Sequence, residues 1–581
     1  MNNADNIDKK SLKDKIIELK LNTIEKFIVP DYIQNNLNHT LRGYQKEALA
    51  IFDYYISDDC PFKNKNQPIE LLFNMATGSG KTLVMASLIL QLYTKGYRNF
   101  IFFVNSTNII TKTLDNFLNT KSTKCLFTNE VFIEGKKVNI KQVNNFNSND
   151  GDDINIIFTT IHSLHNNLKD ENENSFGIDE ISRYKVVLLA DEAHHFSSST
   201  KNKDSLIEDE SWEGSINKIM SNTIHTNILL EFSATIDFDD PEIVKKYQNR
   251  TIYEYGLKTF YENGYSKDIN LLQIGLEEEL NIEDSKLVNT NSNLMLVAIL
   301  VNLYREQIAI EHNIRPFKPV ILFKAQQTIE QSHQNYKNFN NLIATLNQEH
   351  LTEVLNIMQS SSTLSKNSVE NHILPKVVHY FKKEFSTNEL VEIIKDRFKI
   401  DNIIDINYEP KKNQANKKLD KTESKILEKN NKLINTLELP QNNIRAIFAV
   451  NKLNEGWDVL NLYDIVRLYN TRDNNYKTSK IGSTTMQEAQ LIGRGARYYP
   501  FTNNTQNINE ENIENNNDDD TDNKYKRKFD YDLNNPLRIL ETMYYFSCRN
   551  VRYISELKDA LLKMGAQVDQ EDTTIKTIKI K

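Results

Sequence analysis

Short, uninterrupted apolar runs alternate along this chain with longer stretches whose apolar residues recur at helical spacing. The first set is ELLFNM (70–75), NFIFFVN (99–105), INIIFTT (154–160), YKVVLLADE (184–192) and TNILLEFSAT (226–235). Strands that are apolar without alternation are covered on both faces, and strands alternating with helices form parallel sheets. The pattern therefore predicts an α/β unit. A second set starts near Asn293 with a long apolar helix, followed by PVILFKA (319–325), IRAIFAVN (444–451) and DIVRLYN (464–470). It predicts a second parallel sheet with helices on both faces.

The flanking pieces differ in texture. Residues 1–36 have apolar positions at helical spacing and predict a helical lead-in. The units are expected over 37–265 and 266–501, the second carrying a polar, mostly helical insertion over about 339–442. Residues 502–528 begin with TNNTQNINEENIENNNDDDTD, which cannot bury enough apolar surface to offset its ordering entropy and is expected to be a disordered loop. Residues 529–581 return to a helical pattern, and no nuclease domain is recognised there.

Composition narrows the classes. With 581 residues and 39% hydrophobic content, the chain is long enough for several packed domains. The net charge of −8 excludes a uniformly basic nucleic-acid coat but leaves room for a local groove. The three cysteines, Cys60, Cys125 and Cys548, are too far apart for a disulfide framework or a zinc spacing. They point to a reducing, cytoplasmic setting. The first residues lack the apolar core of a signal peptide. The apolar stretch Leu294–Leu303 is short of the roughly 20 residues that cross a bilayer, so it predicts a buried helix and no membrane association.

Two strings carry chemistry. In LLFNMATGSGKTLVMASLIL, a strand runs through Thr77, Gly78, Ser79, Gly80, Lys81 and Thr82 into a helix. Glycines let backbone N–H groups curl round phosphates, and the helix N-terminus adds partial positive charge. Lys81 suits the β/γ-phosphates and the Thr82 hydroxyl suits Mg²⁺. The strict motif wants glycine where this chain has Met75. In YKVVLLADEAHHF, Asp191 and Glu192 end a buried strand, where open parallel sheets bind ligands. Asp191 can hold Mg²⁺ opposite Thr82, and Glu192 can take the proton of an attacking water. His194 is read as a polar link between the nucleotide and the sheet, and His195 as structural.

MATGSGKT, ADEAHHF, FSATI, LNEGWDV and QLIGRGAR occur in that order over roughly residues 37–500. As a set they resemble the DExH-type helicases and translocases of superfamily 2. The resemblance implies two tandem RecA-like P-loop domains with ATP and Mg²⁺ between them. It implies that Gln45 reads adenine, and that Ser233, Ala234 and Thr235 couple hydrolysis to domain movement. Gly456 and Asp458 would lie near the ribose and the nucleic-acid backbone. Gln490 would help place the water, and Arg494 and Arg497 would reach the γ-phosphate. If the GRGAR segment is helical, its two guanidiniums share one face. The polar groups of Asn105, Ser106, Thr107, Thr159 and Thr160 suit contacts to a nucleic-acid backbone without sequence readout.

A finer likeness rests on DEAHHF, NEGWDVLNLYDIVRLYN, QEAQLIGRGARYYPF and the region after them. These resemble the restriction (Res) subunit of type III restriction-modification enzymes. That family implies an ATPase working on double-stranded DNA beside a modification methyltransferase subunit, with cleavage by an endonuclease domain. FDDPEIVKK (238–246) is the nearest string to a nuclease motif and reads better as a linker helix. Cleavage would then need a separate nuclease chain or a longer gene product. Two other readings stay open, a general repair or RNA helicase of the same superfamily and a non-motor nucleotide-binding remnant.

Overall fold

The computed structural model describes residues 11–24, 27–62, 68–147, 151–169, 177–193, 212–222, 224–234, 236, 241–274, 284–326, 328–360, 373–407, 429–430, 432–450, 457, 459–469, 482–501, 523–532, 534–548, 551–564 and 576–578. It divides into two compact units, Met1–Leu257 and Lys258–Lys581.

The first unit is built on β1 (Ile69–Met75), β2 (Asn99–Val104), β5 (Ile140–Gln142), β6 (Ile154–Thr160), β7 (Val186–Asp191), β8 (Ile228–Ser233) and β9 (Thr251–Tyr255). A small antiparallel hairpin, β3 (Val131–Ile133) and β4 (Lys136–Val138), stands apart from that sheet. The seven strands lie in the order β5-β6-β2-β7-β8-β1-β9, and their pairings are parallel. Every residue of β2 and β8 is buried, which is why these strands read as unbroken apolar runs. Phe73 of β1 stacks on Phe232 of β8 with centroids 4.9 Å apart. Pro241–Tyr247 is a helix whose Ile243 and Tyr247 pack on Leu72, and residues 238–240 of the FDDPEIVKK string lie outside the described residues.

The second unit holds β10 (Asp268–Ile274), β11 (Val320–Lys324), β12 (Ile403–Asp405), β13 (Ala446–Ala449), β14 (Leu462–Arg467), β15 (Thr542–Cys548) and β16 (Lys576–Ile578). Their order is β12-β13-β11-β14-β15-β10-β16, again parallel. The long helix is Asp284–Glu311, and its Leu294–Leu303 stretch is buried throughout. Residues 291–311 are long and apolar enough to cross a membrane, but 83% of that window is packed inside the protein. The insertion is mostly helical, with helices Gln348–Ser360, Ile373–Glu384 and Thr387–Arg397 among its described residues.

The segment read as helical over 529–581 departs from that pattern, and β16 is one of two strands among its described residues. The run NPLRILETMYYF reads as helical, yet it divides into a short 3-10 helix, Pro536–Glu541, and the fully buried strand β15 between β14 and β10. A buried salt bridge fixes it there. Arg305, on the long helix and wholly buried, grips Asp464 of β14 at 2.7 and 3.1 Å and donates to the Ile539 carbonyl at 3.1 Å. Asn302 donates to the same carboxylate at 2.7 Å. A paired and hydrogen-bonded buried charge of this kind specifies register more than it adds stability.

Candidate nucleotide and motor site

In the first unit, strand register collects the candidate residues on one edge. Asn74 of β1 lies opposite Ser233 of β8, and Phe232 lies opposite Asp191 of β7. Neighbouring strands are roughly 4.8 Å apart. The phosphate loop, Ser233 and Asp191 therefore leave three adjacent strands at their carboxyl ends, where such sheets bind ligands.

The loop has the backbone that phosphate binding needs. Gly78 and Gly80 take φ of 88° and 77°, and the helix Lys81–Thr94 starts directly after them. Lys81 and Thr82 open its first turn, where the helix macrodipole favours an anion. The Lys81 ammonium lies 3.4 Å from the Met75 carbonyl, so Met75 ends the strand without obstructing the turn. The donor set fits a nucleotide triphosphate with Mg²⁺.

Gln45 is buried and is engaged within the unit. Its Nε2 donates to the Ser79 carbonyl at 2.7 Å, beside the Tyr44 hydroxyl at 2.9 Å, and its Oε1 accepts from the Arg42 N–H at 2.9 Å. Its amide oxygen thus caps the start of its own helix, and its amide nitrogen buttresses the phosphate loop. A Cβ at Gly80 would sit 2.5 Å from the Gln45 amide nitrogen, so the loop glycine is required by contact as well as by φ.

Glu192 has φ of 53°, a left-handed conformation in a non-glycine residue, and is 8% exposed. Its N–H donates to the Asp191 carboxylate at 3.0 Å. Strained backbone of this kind costs about 1–3 kcal/mol and clusters at functional sites. Ser233 is fully buried and Ala234 half-buried after it. His194, His195, Thr235, Gly456 and Asp458 lie outside the described residues.

Asn105, Ser106 and Thr107 follow β2, whose Val104 pairs with Thr160 of β6, so both groups of candidate backbone contacts share the carboxyl edge. They are not equally available. Thr159 and Thr160 are buried, and Thr160 Oγ1 donates to Ser163 Oγ at 2.9 Å and accepts the Ser163 N–H at 3.1 Å. Thr107 is exposed, and Asn105 and Ser106 are half-buried.

In the second unit, Gln490 and Arg494 lie half-buried on the helix Ser483–Gly495. Arg497 lies past its end, bridged antiparallel to Ser266 and 7% exposed. The two arginines therefore do not share a helix face. Gly495 is the last helical residue, and a Cβ there would meet Met543 Sδ at 2.8 Å and Leu462 Cδ2 at 3.0 Å. The middle glycine of GRGAR lets the helix end press against β14 and β15.

Two buried groups to which the motifs assign no role hold this helix. Lys267 caps its C-terminal end, donating to the carbonyls of Gly495 (2.9 Å), Leu460 (2.6 Å) and Leu462 (2.9 Å). Burial, then the Arg305 charge, pushes its pKa well down, while the three carbonyls are arranged for the N–H donors of an ammonium. Glu488 is fully buried on the helix itself. It receives the hydroxyls of Tyr469 and Tyr553 and lies 3.4 Å from Arg467 Nε. Burial opposes the Arg467 charge, but Glu488 and the surrounding tyrosines raise its pKa above the usual arginine value. Arg467 is sandwiched between the rings of Tyr469 (4.1 Å) and Tyr553 (3.7 Å), so β14, this helix and the helix Val551–Lys563 share one polar core. Removing the carboxylate strands a buried guanidinium. Glu488→Ala is expected to lose about 3–5 kcal/mol of unfolding free energy, read from denaturant midpoints. A loss under 1 kcal/mol would discard this role.

Two P-loop-type α/β units in one chain, the first with phosphate loop and acids and the second with the arginine segment, define a superfamily 2 helicase-like ATPase. Residues 38–238 match the family model described as type III restriction enzyme, res subunit, and residues 484–570 match a second, HI_1054_N, described as an N-terminal region. The chain is 35% identical over 487 residues to the Haemophilus influenzae protein named probable type III restriction-modification enzyme HindVIP Res subunit, covering 79% of this chain and 89% of that one. The chain belongs to the Res-subunit family of type III restriction-modification enzymes. It is an ATP-dependent helicase or translocase of that type, and the family implies dependence on ATP and Mg²⁺. Among solved structures, the Type ISP restriction-modification enzyme LlaBIII bound to DNA is similar at TM-score 0.40 and 14% identity, over 91% of this chain and 33% of that one. Saccharomyces cerevisiae Dbp5 bound to RNA and ADP BeF3 is similar at TM-score 0.42 and 11% identity, over 92% of this chain and 89% of that one.

Proposed function

We propose that this chain is the motor of a type III restriction system, hydrolysing ATP while it moves on or senses duplex DNA beside a modification methyltransferase subunit. The observation that carries the reading is the shared carboxyl edge of β1, β8 and β7, which brings together the phosphate loop, Ser233 and Asp191.

The roles follow from the chemistry of each group. Backbone N–H groups of Thr77–Gly80 and the Lys81 ammonium hold the β- and γ-phosphates. Thr82 and Asp191 hold Mg²⁺, which neutralises phosphate charge when bound. Glu192 takes the proton of the attacking water. Gln45 and His194 support the base and the phosphate end, and Gly456 and Asp458 the ribose side. Gln490 orients the water, and Arg494 and Arg497 neutralise charge on the γ-phosphate through planar forks that suit phosphate oxygens. Lysine and acids are supplied by one unit and guanidiniums by the other, and Ser233, Ala234 and Thr235 couple hydrolysis to domain movement. Asn105, Ser106 and Thr107 line the track by backbone contact, and the buried Thr159 and Thr160 shape the same carboxyl edge.

The test is steady-state ATPase with purified chain and defined nucleic acids. Duplex DNA is expected to raise kcat at least tenfold, and an affinity-tagged chain to co-purify with the methyltransferase. Stimulation by RNA alone would overturn the duplex-DNA assignment.

A further inference from the structure

The second unit holds a polar cavity that none of the motor residues enters. It measures about 480 Å³ and lies against Lys318, Arg445 and Asn461, which stand just before β11, β13 and β14. It is therefore at the amino edge of the sheet. The arginine segment packs elsewhere, its Gly495 against Met543 and Leu462.

The wall is rich in cations drawn from separate parts of the chain. Arg315 and Lys318 come from the loop before β11, Arg397 and Lys399 from the insertion, and Arg445 from the entry to β13. Against these five stand three carboxylates, Glu306, Asp396 and Glu438, so the wall carries two more positive charges than negative. The acids are already engaged. Glu306 receives Arg445 Nη2 at 2.6 Å and lies 3.6 Å from Arg397 Nε. Glu438 accepts the Leu460 N–H at 2.6 Å, and Asp396 accepts from Lys399 at 3.3 Å. Arg445 is 9% exposed, and its Nη1 is buried with no acceptor among the described residues. Arg315 is exposed and forms no ion pair among the described residues. Burial, followed by the Arg445 charge, pushes the Lys318 ammonium down to about 8, and this ammonium donates to the Asn442 carbonyl.

A surplus of two charges, arginine forks with unused donors, and the volume of a small-ligand site call for a compact dianion. We propose that this cavity binds a phosphate group, through the exposed Arg315 and Lys399, the partly exposed Arg397 and the buried Arg445. The insertion then has a binding role, since it supplies two of the five cations. The phosphate belongs either to a small phosphate ester or to a nucleic-acid backbone, and the two are told apart below.

Calorimetric titration of the full chain with pyrophosphate, at constant ionic strength, is expected to show two sites. Lys81→Ala should remove the one in the phosphate loop. The paired surface substitution Arg315→Ala/Lys399→Ala should weaken the other at least tenfold while leaving basal ATPase unchanged, and acetate should not compete. Displacement of pyrophosphate from this second site by a 30-base-pair duplex would identify a DNA backbone as the source; continued binding in its presence would identify a small phosphate ester. A single site abolished by Lys81→Ala, or a second site indifferent to the paired substitution, overturns the proposal. Because the readout is binding at residues outside the ATPase machinery, it fails or succeeds independently of the motor assignment.

Discussion

Arg494→Ala is expected to lower DNA-stimulated kcat by roughly 10³–10⁵-fold while ATP affinity changes only a few-fold. That factor corresponds to about 4–7 kcal/mol at 1.36 kcal/mol per decade. The split between kcat and affinity is the informative part. A guanidinium that meets the γ-phosphate only as charge develops stabilises the transition state and not the bound substrate, so its loss appears in kcat. Arg494 is the cleaner test of the two arginines. It lies half-buried in the last turn of its helix, whereas Arg497 is 7% exposed and tied by backbone to Ser266. For Arg497 the lysine variant is therefore preferred. It keeps the charge and loses the planar fork, and kcat should again fall by orders of magnitude if both nitrogens are used. An Arg494→Ala protein that hydrolyses ATP within threefold of wild type, with an unchanged melting curve, would remove the arginine from the reaction.

How much of this was readable from residues alone depends on what each signal measures. Apolar runs such as NFIFFVN and KVVLLAD located strands because a central parallel strand is covered on both faces. The same property hid β15. In TMYYFSC every residue is buried, so no alternation distinguishes it from a buried helix of equal length. β10 was missed for a related reason. It pairs with β15 and β16, and both partners lie far along the chain. The phosphate loop was legible because its chemistry is local, a strand, two glycines and a helix in one stretch. The end of the arginine helix was not, because Gly495 is set by contacts with Met543 and Leu462, which no spacing rule contains. Lys267 lies outside every motif, and Glu488, though inside QEAQLIGRGARYYPF, has no role assigned by it. One is an acid on an otherwise ordinary helix and the other a lysine before a strand, and only tertiary packing turns them into the supports of the arginine segment.

Lys81→Ala and Glu192→Gln should separate binding from turnover within the first unit. Lys81→Ala is expected to abolish measurable ATP binding, because the ammonium is the one mobile cation that the first turn of the Lys81–Thr94 helix directs at the loop. Glu192→Gln should bind ATP like wild type and lose roughly 10²–10⁴ in kcat, the contribution of a positioned base. The amide substitution suits this position. Glu192 has φ of 53° and is almost buried, so a change of size would mix backbone relief with lost chemistry. Glutamine keeps the volume and the hydrogen bond from its N–H to Asp191, and it alters only the group that can accept a proton. Fluorescent-nucleotide binding and single-turnover hydrolysis, both with saturating duplex DNA, give the two quantities on one preparation. Equal single-turnover rates for wild type and Glu192→Gln would reject the base assignment. Tight ATP binding by Lys81→Ala would reject the phosphate loop itself, and with it the claim that the carboxyl edge of β1, β8 and β7 is where the triphosphate sits.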